Sequence, residues 1–226
     1  QVYRQGERST MTSSRGLFEQ IELRPKMLTG LYYITDNLIH QYAAMSAVVG
    51  RQFRDKILYQ ELNEFMNGNG AGQCQGILNA PATYSQAKRP GQPAATIVTD
   101  NVLEMQSHMR PSEYASAVWL ASLSCMQQLE TLTIPVGTGG SAVAMTSIGA
   151  DGMMRMRGRP LIYTEWCAAV GTVGDLVLAA WPHYLVAETT YQNTDSSIHV
   201  RFESNETAFR FVKTLDGQCW WRTTLT

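Results

Sequence analysis

The chain has 226 residues, of which 44% are hydrophobic and 16% are charged, a composition that excludes a disordered chain. Its 18 basic and 19 acidic residues give a formal net charge of -1, so bulk charge does not recruit nucleic acid. The low charge content, together with many Thr, Ser, Gln and Asn residues, favours a surface that other protein molecules cover.

No stretch of about eighteen apolar residues occurs, so the sequence predicts no membrane-spanning helix. The four cysteines are far apart and form no CxxC pair. They are Cys74, Cys125, Cys167 and Cys219. This spacing argues against a zinc site or a thioredoxin motif, and it fits reduced thiols in a cytosolic product.

Residues 1–34 predict two extended arms joined by a polar segment from Gly6 to Gly16. Isolated two-stranded ribbons are marginally stable in water, so we expect this hairpin to lie on a partner molecule. A hairpin that moves freely at the surface is the alternative interpretation.

The residues from Thr35 predict a helix of about 30 residues, roughly 45 Å long, with one apolar stripe. The stripe comprises Leu38, Tyr42, Met45, Val49, Phe53, Ile57, Leu62, Phe65 and Met66. Glu61 and Glu64 are expected on the solvated side. A glycine-rich run from Asn67 to Gly76 predicts the end of the helix. A phosphate-binding loop is disfavoured there, because such loops precede a helix and carry a Gly-Lys-Ser/Thr sequence.

Shorter elements follow from Ala80 to Val186 and predict an α+β region. The predicted helices are 101–109 and 122–132, the predicted strands are 117–120, 160–165 and 175–181, and residues 136–152 form a glycine-rich loop or weak hairpin. The tail predicts antiparallel strands, in which Ile198, Val200 and Phe202 alternate with polar residues. A turn is expected at Asp216-Gly217.

The histidine, cysteine and serine residues predict neither a metal site nor a cofactor site. The four histidines show no metal-ligand spacing, and no GxSxG elbow occurs. A nucleophilic Cys125 or Cys167 needs a histidine nearby in space, whereas a buried structural thiol needs nothing further, and the second interpretation is favoured.

Arg155, Arg157 and Arg159 alternate along the sequence and would project to one side if they lay on one strand. Such a row can contact another subunit, water or a phosphate group. Met153 and neighbouring methionines crowd the same region, and flexible thioethers suit a contact that varies in geometry. A subunit contact is the favoured interpretation.

Four strings, in this order, resemble the major capsid proteins of tailed bacteriophages. They are TMTSSRGLFEQIELRPKMLTGLYYITDNLI (Thr10–Ile39), FMNGNGAGQCQGILNAPAT (Phe65–Thr83), GRPLIYTEWCAAVGTVGDLVLAAWPHYLV (Gly158–Val186) and SSIHVRFESNETAFRFVKTLDGQCWW (Ser196–Trp221). The resemblance covers almost the whole chain and implies an α+β capsid fold of the Hong Kong phage type, with no enzymatic activity.

The resemblance also implies a division of the chain. Residues 1–20 would form the extended hairpin loop, 21–79 a peripheral domain on a spine helix, 80–187 the axial domain, and 188–226 the returning peripheral sheet. The amino-terminal arm of the family is expected to precede Gln1. Contacts with a neighbouring subunit are expected at Arg4, Glu7, Arg8, Thr10, Met11 and Arg15 of the loop, and at Met153, Arg155, Arg157 and Arg159 of the axial domain.

The implied partners are copies of the chain in hexamers and pentamers, with scaffolding, portal and decoration proteins as further candidates. The shell would enclose double-stranded DNA without sequence-specific contacts, in the virion, after assembly in the host cytoplasm. Some family members join subunits through a loop lysine, but no lysine lies between Gln1 and Pro25, so non-covalent stabilisation is expected. An encapsulin-like compartment, a gene-transfer-agent (GTA) capsid and a cytosolic cysteine hydrolase are the alternatives.

Overall fold

The computed structural model describes residues 20–41, 45–137, 140–189 and 193–224. Five α-helices lie in these ranges: α1 (Asp36–Gln41), α2 (Met45–Asn67), α3 (Thr99–Ser107), α4 (Pro111–Tyr114) and α5 (Met126–Thr131). Short 3-10 turns occupy Ile77–Asn79, Leu123–Cys125, Trp181–His183 and Phe202–Ser204. In the described ranges, no helix has both the length and the apolar character needed to cross a membrane.

The strands form a four-stranded, a five-stranded and a two-stranded sheet. They are β1 (Lys26–Thr35), β2 (Val118–Ser122), β3 (Thr133–Val136), β4 (Ser141–Ala144), β5 (Thr146–Ile148), β6 (Met154–Met156), β7 (Arg159–Thr164), β8 (Leu176–Ala179), β9 (Tyr184–Glu188), β10 (Asn193–Arg201) and β11 (Glu206–Cys219). The mixture of helices and sheets confirms the predicted α+β class.

The four-stranded sheet is built around β11, the longest strand. All ten residues of β1 pair antiparallel with one edge of β11, from Lys26 opposite Leu215 to Thr35 opposite Glu206. Strands β10 and β9 pair with successive stretches of the other edge. Asp216 and Gly217 lie inside β11 opposite Ala187 and Val186, so the prediction of a turn there was wrong. The Asp216 side chain is buried, and its carboxylate accepts the Arg24 backbone N–H at 2.7 Å, which keeps the aspartate in an extended strand.

Helix α2 lies against the four-stranded sheet and buries part of the predicted apolar stripe. Val49, Ile57 and Met66 are buried, and the Phe53 ring packs edge-on against Tyr32 of β1. The helix was predicted to run without interruption from Thr35. Helical structure is described at 36–41 and 45–67, and the residues between these helices lie outside the described ranges.

The five-stranded sheet has the order β5-β6-β7-β2-β8, with β2 and β7 parallel. Its core is centred on Trp119, Leu129 and Met156, which are fully buried, and α3 and α5 contribute Val102 and Leu129 to it. A second apolar cluster joins this sheet to the end of α2 through Met66, Ile77 and Val177. The two sheets are therefore held together by packed side chains.

Candidate assembly surfaces

The glycine-rich run after α2 forms a close-packed connection, as its position after a helix predicts. A Cβ atom on Gly68 would lie 2.2 Å from the Cys74 carbonyl oxygen, and one on Gly76 would lie 2.5 Å from that of Met66. The Lys26 ammonium donates hydrogen bonds to the carbonyls of Gly70 and Gln73 at 2.7 and 2.8 Å. These contacts fix the start of β1 to the end of α2.

Two carboxylates expected on the solvated side of α2 are buried instead. Glu61 is 7% exposed, and Lys213 Nζ of β11 lies 2.5 Å from its Oε1 atom. Glu64 accepts the backbone N–H of Cys74 at 3.3 Å. The solvated-face prediction was wrong because these carboxylates face basic and amide groups of the sheet and the glycine-rich run. A usable signal lay in β11, where Lys213 falls on the same strand face as the apolar Phe211 and Leu215.

The arginine row at 155–159 is split by a turn. Arg155 lies in β6, Arg157 has a left-handed backbone (φ 53°) in the turn, and Arg159 begins β7. Arg155 pairs with Asp151 at 2.7 Å, and Arg157 Nε donates to the Gln106 side chain at 3.1 Å. The assumption of one strand was therefore wrong, because Gly158 completes a tight connection between two strands. That the arginines contact another subunit stays a prediction.

The hairpin of β5 and β6 presents an apolar tip. Ile148 is 72% exposed and Met153, a predicted contact residue, is also exposed. The tip is held by Asp151, whose carboxylate accepts the Met153 backbone N–H at 3.1 Å and pairs with Arg155, and by a hydrogen bond from the Gly149 N–H to the Met153 carbonyl. An ordered tip with uncovered apolar side chains is suited to a protein contact.

Uncovered apolar side chains continue over several other surfaces of the chain. They include Met27 and Leu31 on β1, Val48, Leu58 and Tyr59 on α2, Val136 and Val143 on the β3–β4 hairpin, and Ile198, Val200 and Phe202 near the end of β10. The total accessible surface is 15311 Å². A compact monomer of 25.2 kDa would expose about 10,300 Å². Part of this excess is apolar area that a monomer would leave in water.

A groove of about 780 Å³ lies between the 84–97 segment, α3 and strand β8. At its rim Arg110 stacks over the Trp221 ring at 4.5 Å, and Glu113 pairs with His183. The hydrogen bond from His183 lowers the pKa of the Glu113 carboxyl. These contacts connect helix α4 with the 3-10 turn at Trp181–His183 and with the segment that follows β11.

Two thiols that sequence reasoning considered as nucleophiles are buried. Cys125 lies 3.7 Å from the Asp175 carbonyl oxygen, and Cys167 accepts a hydrogen bond from the Thr164 hydroxyl at 3.2 Å. Burial raises the pKa of both thiols, whereas a nucleophilic cysteine needs a lowered pKa. Among the described residues, no cluster of three or more His, Cys, Asp or Glu side chains could hold a metal ion.

The predicted loop contacts lie outside the described residues. They are Arg4, Glu7, Arg8, Thr10, Met11 and Arg15. Their roles stay predictions.

Sequence and structure comparisons point to one family. The model of the phage capsid family matches residues 1–220. No curated protein sequence matches the chain significantly.

Several solved structures share the fold at low sequence identity. The capsid of the native GTA particle aligns with a TM-score of 0.75 and 14% identity, over 97% of this chain and 77% of that chain. A structure from Mycobacterium phage Adephagia aligns with a TM-score of 0.60 and 13% identity, over 89% of this chain and 68% of that chain. The holo-SrpI encapsulin complex from Synechococcus elongatus aligns with a TM-score of 0.53 and 12% identity, over 88% of this chain and 71% of that chain. At these identities the likeness concerns the fold.

Proposed function

The chain belongs to the phage capsid family, and from this premise we propose that it is the major capsid protein of a tailed phage. Copies of the chain assemble into hexamers and pentamers, which build an icosahedral shell around double-stranded DNA. The protein is a structural component of the virion and is assembled in the host cytoplasm. It has no enzymatic activity in this role.

The observation that carries the proposal is the uncovered apolar surface on both sheets and on α2. The total accessible area of the chain, 15311 Å², exceeds the roughly 10,300 Å² of a compact 25.2 kDa monomer by about half. Symmetric assembly would cover such surfaces with identical neighbours, each contact adding modestly to a closed shell.

Each predicted domain has its own part of the fold and its own contacts. Residues 21–79 and 188–226 form the peripheral domain, in which α2 supports the four-stranded sheet, and residues 80–187 form the axial domain with the five-stranded sheet. Residues 1–20 form the extended loop, whose Arg4, Glu7, Arg8, Thr10, Met11 and Arg15 contact the next subunit. Met153, Arg155, Arg157 and Arg159 contact a neighbour in the axial region.

The shell is stabilised by non-covalent contacts. The loop contains no lysine, and the first lysine after it, Lys26, is held by the carbonyls of Gly70 and Gln73. Its ammonium is therefore engaged within its own subunit. A denaturing gel of assembled particles should show a band of monomer size.

The enclosed DNA is held by confinement, without sequence-specific contacts, because the chain is close to neutral. Scaffolding, portal and decoration proteins are further partners of a major capsid protein in such a shell. A GTA capsid is the second candidate, favoured by the TM-score of 0.75 to such a particle. The encapsulin-like alternative has the weaker support of a TM-score of 0.53.

Electron microscopy of the purified full-length product, with its nucleic acid content measured, tests the proposal. Large shells that contain DNA are expected. Shells that contain protein cargo instead of DNA would favour the encapsulin-like alternative, and the absence of shells would contradict a capsid role. Sequencing the enclosed DNA separates the first two candidates, because a phage packages its own genome and a GTA packages fragments of its host.

Deletion of residues 8–15 tests the role of the loop. The deletion is expected to leave soluble, folded subunits that form no particles, because it removes a contact with the next subunit and spares both sheets. Normal particles from this variant would contradict the proposed loop contact.

A further inference from the structure

Helix α2 has a second, outward face that its own subunit leaves largely uncovered, apart from a contact between the Tyr59 and Trp166 rings. At 100° per residue, positions 48, 51, 54, 55, 58 and 59 lie within about 140° on one side of the helix, opposite the buried stripe. Val48, Leu58 and Tyr59 expose large apolar areas there, and Leu58 is 54% exposed. In an isolated subunit the outward face therefore leaves apolar side chains in water, and a contact with another molecule would cover them.

The outward face of α2 also carries basic groups that remain unneutralised. Arg51 and Arg54 are exposed, and neither forms an ion pair among the described residues. Elsewhere in the peripheral region, Arg201, Arg210 and Lys213 pair with carboxylates. This face thus combines apolar side chains with positive charge.

The end of strand β10 forms a second exposed apolar surface, and Arg201 within it is neutralised by Glu206. Ile198, Val200 and Phe202 are exposed, Phe202 at 76%, where the pairing register with β11 is interrupted between Ser197 and Arg201. The following residue, Glu203, is exposed and forms no ion pair in the described part of the chain. We call residues 198–203 the β10 tip.

We infer that the β10 tip of one copy docks on the outward face of α2 of a neighbouring copy. The inference rests on the proposed function, and it names one contact between subunits. Apolar side chains meet apolar side chains, and Glu203 faces Arg51 and Arg54, so the two surfaces match in apolar character and in charge.

Two different surfaces of the same chain make this a heterologous contact. A heterologous contact repeats head to tail and closes into a ring when the rotation allows it, as the rings of a shell require. Duplex DNA is a less suitable occupant of this face of α2. The exposed apolar side chains of Leu58 and Tyr59 make no favourable contact with phosphate groups. The carboxylate of Asp55, on the same face, would repel them.

Charge reversal tests the pairing. The double variant Arg51→Glu/Arg54→Glu should lower the yield of particles at least about tenfold, because like charges then face each other across the contact. Adding Glu203→Lys should restore most of the yield. Lys88→Glu is the matched control, since Lys88 is an exposed base without an ion pair in the described residues, and it lies outside both surfaces.

Cysteine cross-linking tests the contact independently of yield. Subunits with Leu58→Cys and subunits with Phe202→Cys are co-assembled and oxidised, and a dimer band should appear on a non-reducing gel. Each variant assembled alone should give none. Replacing Phe202→Cys by Val173→Cys, an equally exposed site elsewhere, should also give none.

The outcomes separate the inference from the function on which it rests. If the wild type forms no shells, the proposed function fails. If the wild type forms shells and the double reversal assembles normally, or if Glu203→Lys does not rescue it and no dimer band forms, the inference is overturned. Intact shells that retain less DNA in the double reversal would assign the outward face of α2 to DNA and would also overturn the inference.

Discussion

Lys213 and Glu61 form a buried ion pair between strand β11 and helix α2, with Lys213 Nζ 2.5 Å from Glu61 Oε1. Lys213 is 9% exposed, and a second carboxylate, Glu188 of β9, lies 2.9 Å from its ammonium. Burial by itself would lower the pKa of Lys213, but its bonds to the two carboxylates outweigh burial and raise it. The charged form is therefore the stable one, and it connects α2, β9 and β11.

Replacement of Lys213 by Met is expected to lower the free energy of unfolding by about 3–5 kcal/mol. The change leaves Glu61 buried without a partner, and an uncompensated buried charge is the larger part of this cost. Urea unfolding of dissociated subunits measures the effect.

The double variant Lys213→Met/Glu61→Leu is the control for that experiment. Replacing both charges by apolar groups should recover most of the lost stability. Arg210→Met removes an exposed pair with Asp195 and should cost at most about 1 kcal/mol. Equal losses for Lys213→Met and Arg210→Met would contradict the buried pair.

The sequence predicted the apolar stripe of α2 and the approximate positions of α3, β2, β7 and β8, because these depend on local periodicity and on glycine and proline signals. It predicted neither α4 nor β9. It did not predict that Glu61 and Glu64 are buried, since their partners Lys213 and Cys74 come from distant or folded-back segments. The prediction of a turn at Asp216-Gly217 was wrong for a related reason. A dipeptide that favours turns is held in a strand when tertiary hydrogen bonds, here from the backbone N–H of Arg24, satisfy the aspartate.

Among the candidate surfaces, the sequence predicted a subunit contact at Met153 and Arg155, which lie near an exposed hairpin tip, and that contact stays a prediction. It did not locate the outward face of α2. Val48, Leu58 and Tyr59 fall off the main stripe, and their exposure became evident only once the sheet had fixed which side of the helix is covered.

The contact between Glu113 and His183 predicts a loss of stability in acid. The hydrogen bond from His183 holds the pKa of Glu113 below its ordinary value of 4.5. The contribution of this carboxylate is therefore complete above pH 4.5 and is lost as the pH falls through its lowered pKa. The difference in Tm between the wild type and Glu113→Gln should shrink steadily from pH 6 to pH 3.

His183→Gln provides the second arm of that titration. This variant removes the imidazole partner and leaves the carboxylate. The difference in Tm between His183→Gln and Glu113→Gln should therefore change little between pH 6 and pH 3. A difference between wild type and Glu113→Gln that stays constant down to pH 3 would show that the carboxylate gains nothing from His183.

All four cysteines should resist alkylation in the native subunit. Burial raises the pKa of Cys74 to about 12 and that of Cys219 to about 11, and it raises the pKa of Cys125 and Cys167. Very little thiolate is therefore present near pH 8. Iodoacetamide followed by peptide mapping should show little modification in the native protein and four modified cysteines after denaturation. Rapid native modification of Cys125 or Cys167 would instead support the cysteine-hydrolase alternative.

Two glycine-to-alanine replacements should change stability in opposite directions. Gly76 has an ordinary extended backbone (φ -70°), but a Cβ there would lie 2.5 Å from the Met66 carbonyl oxygen and 2.6 Å from the Gly68 nitrogen. Backbone atoms cannot move away as a flexible side chain can, so Gly76→Ala should cost about 1–3 kcal/mol. Gly50 lies inside α2 with nothing within 4 Å of the added carbon, and Gly50→Ala should stabilise by about 0.5–1 kcal/mol. Urea unfolding of dissociated subunits measures both values. A neutral Gly76→Ala would mean that the connection after α2 has room to relax, and the close packing assigned to the glycine-rich run would then be incorrect.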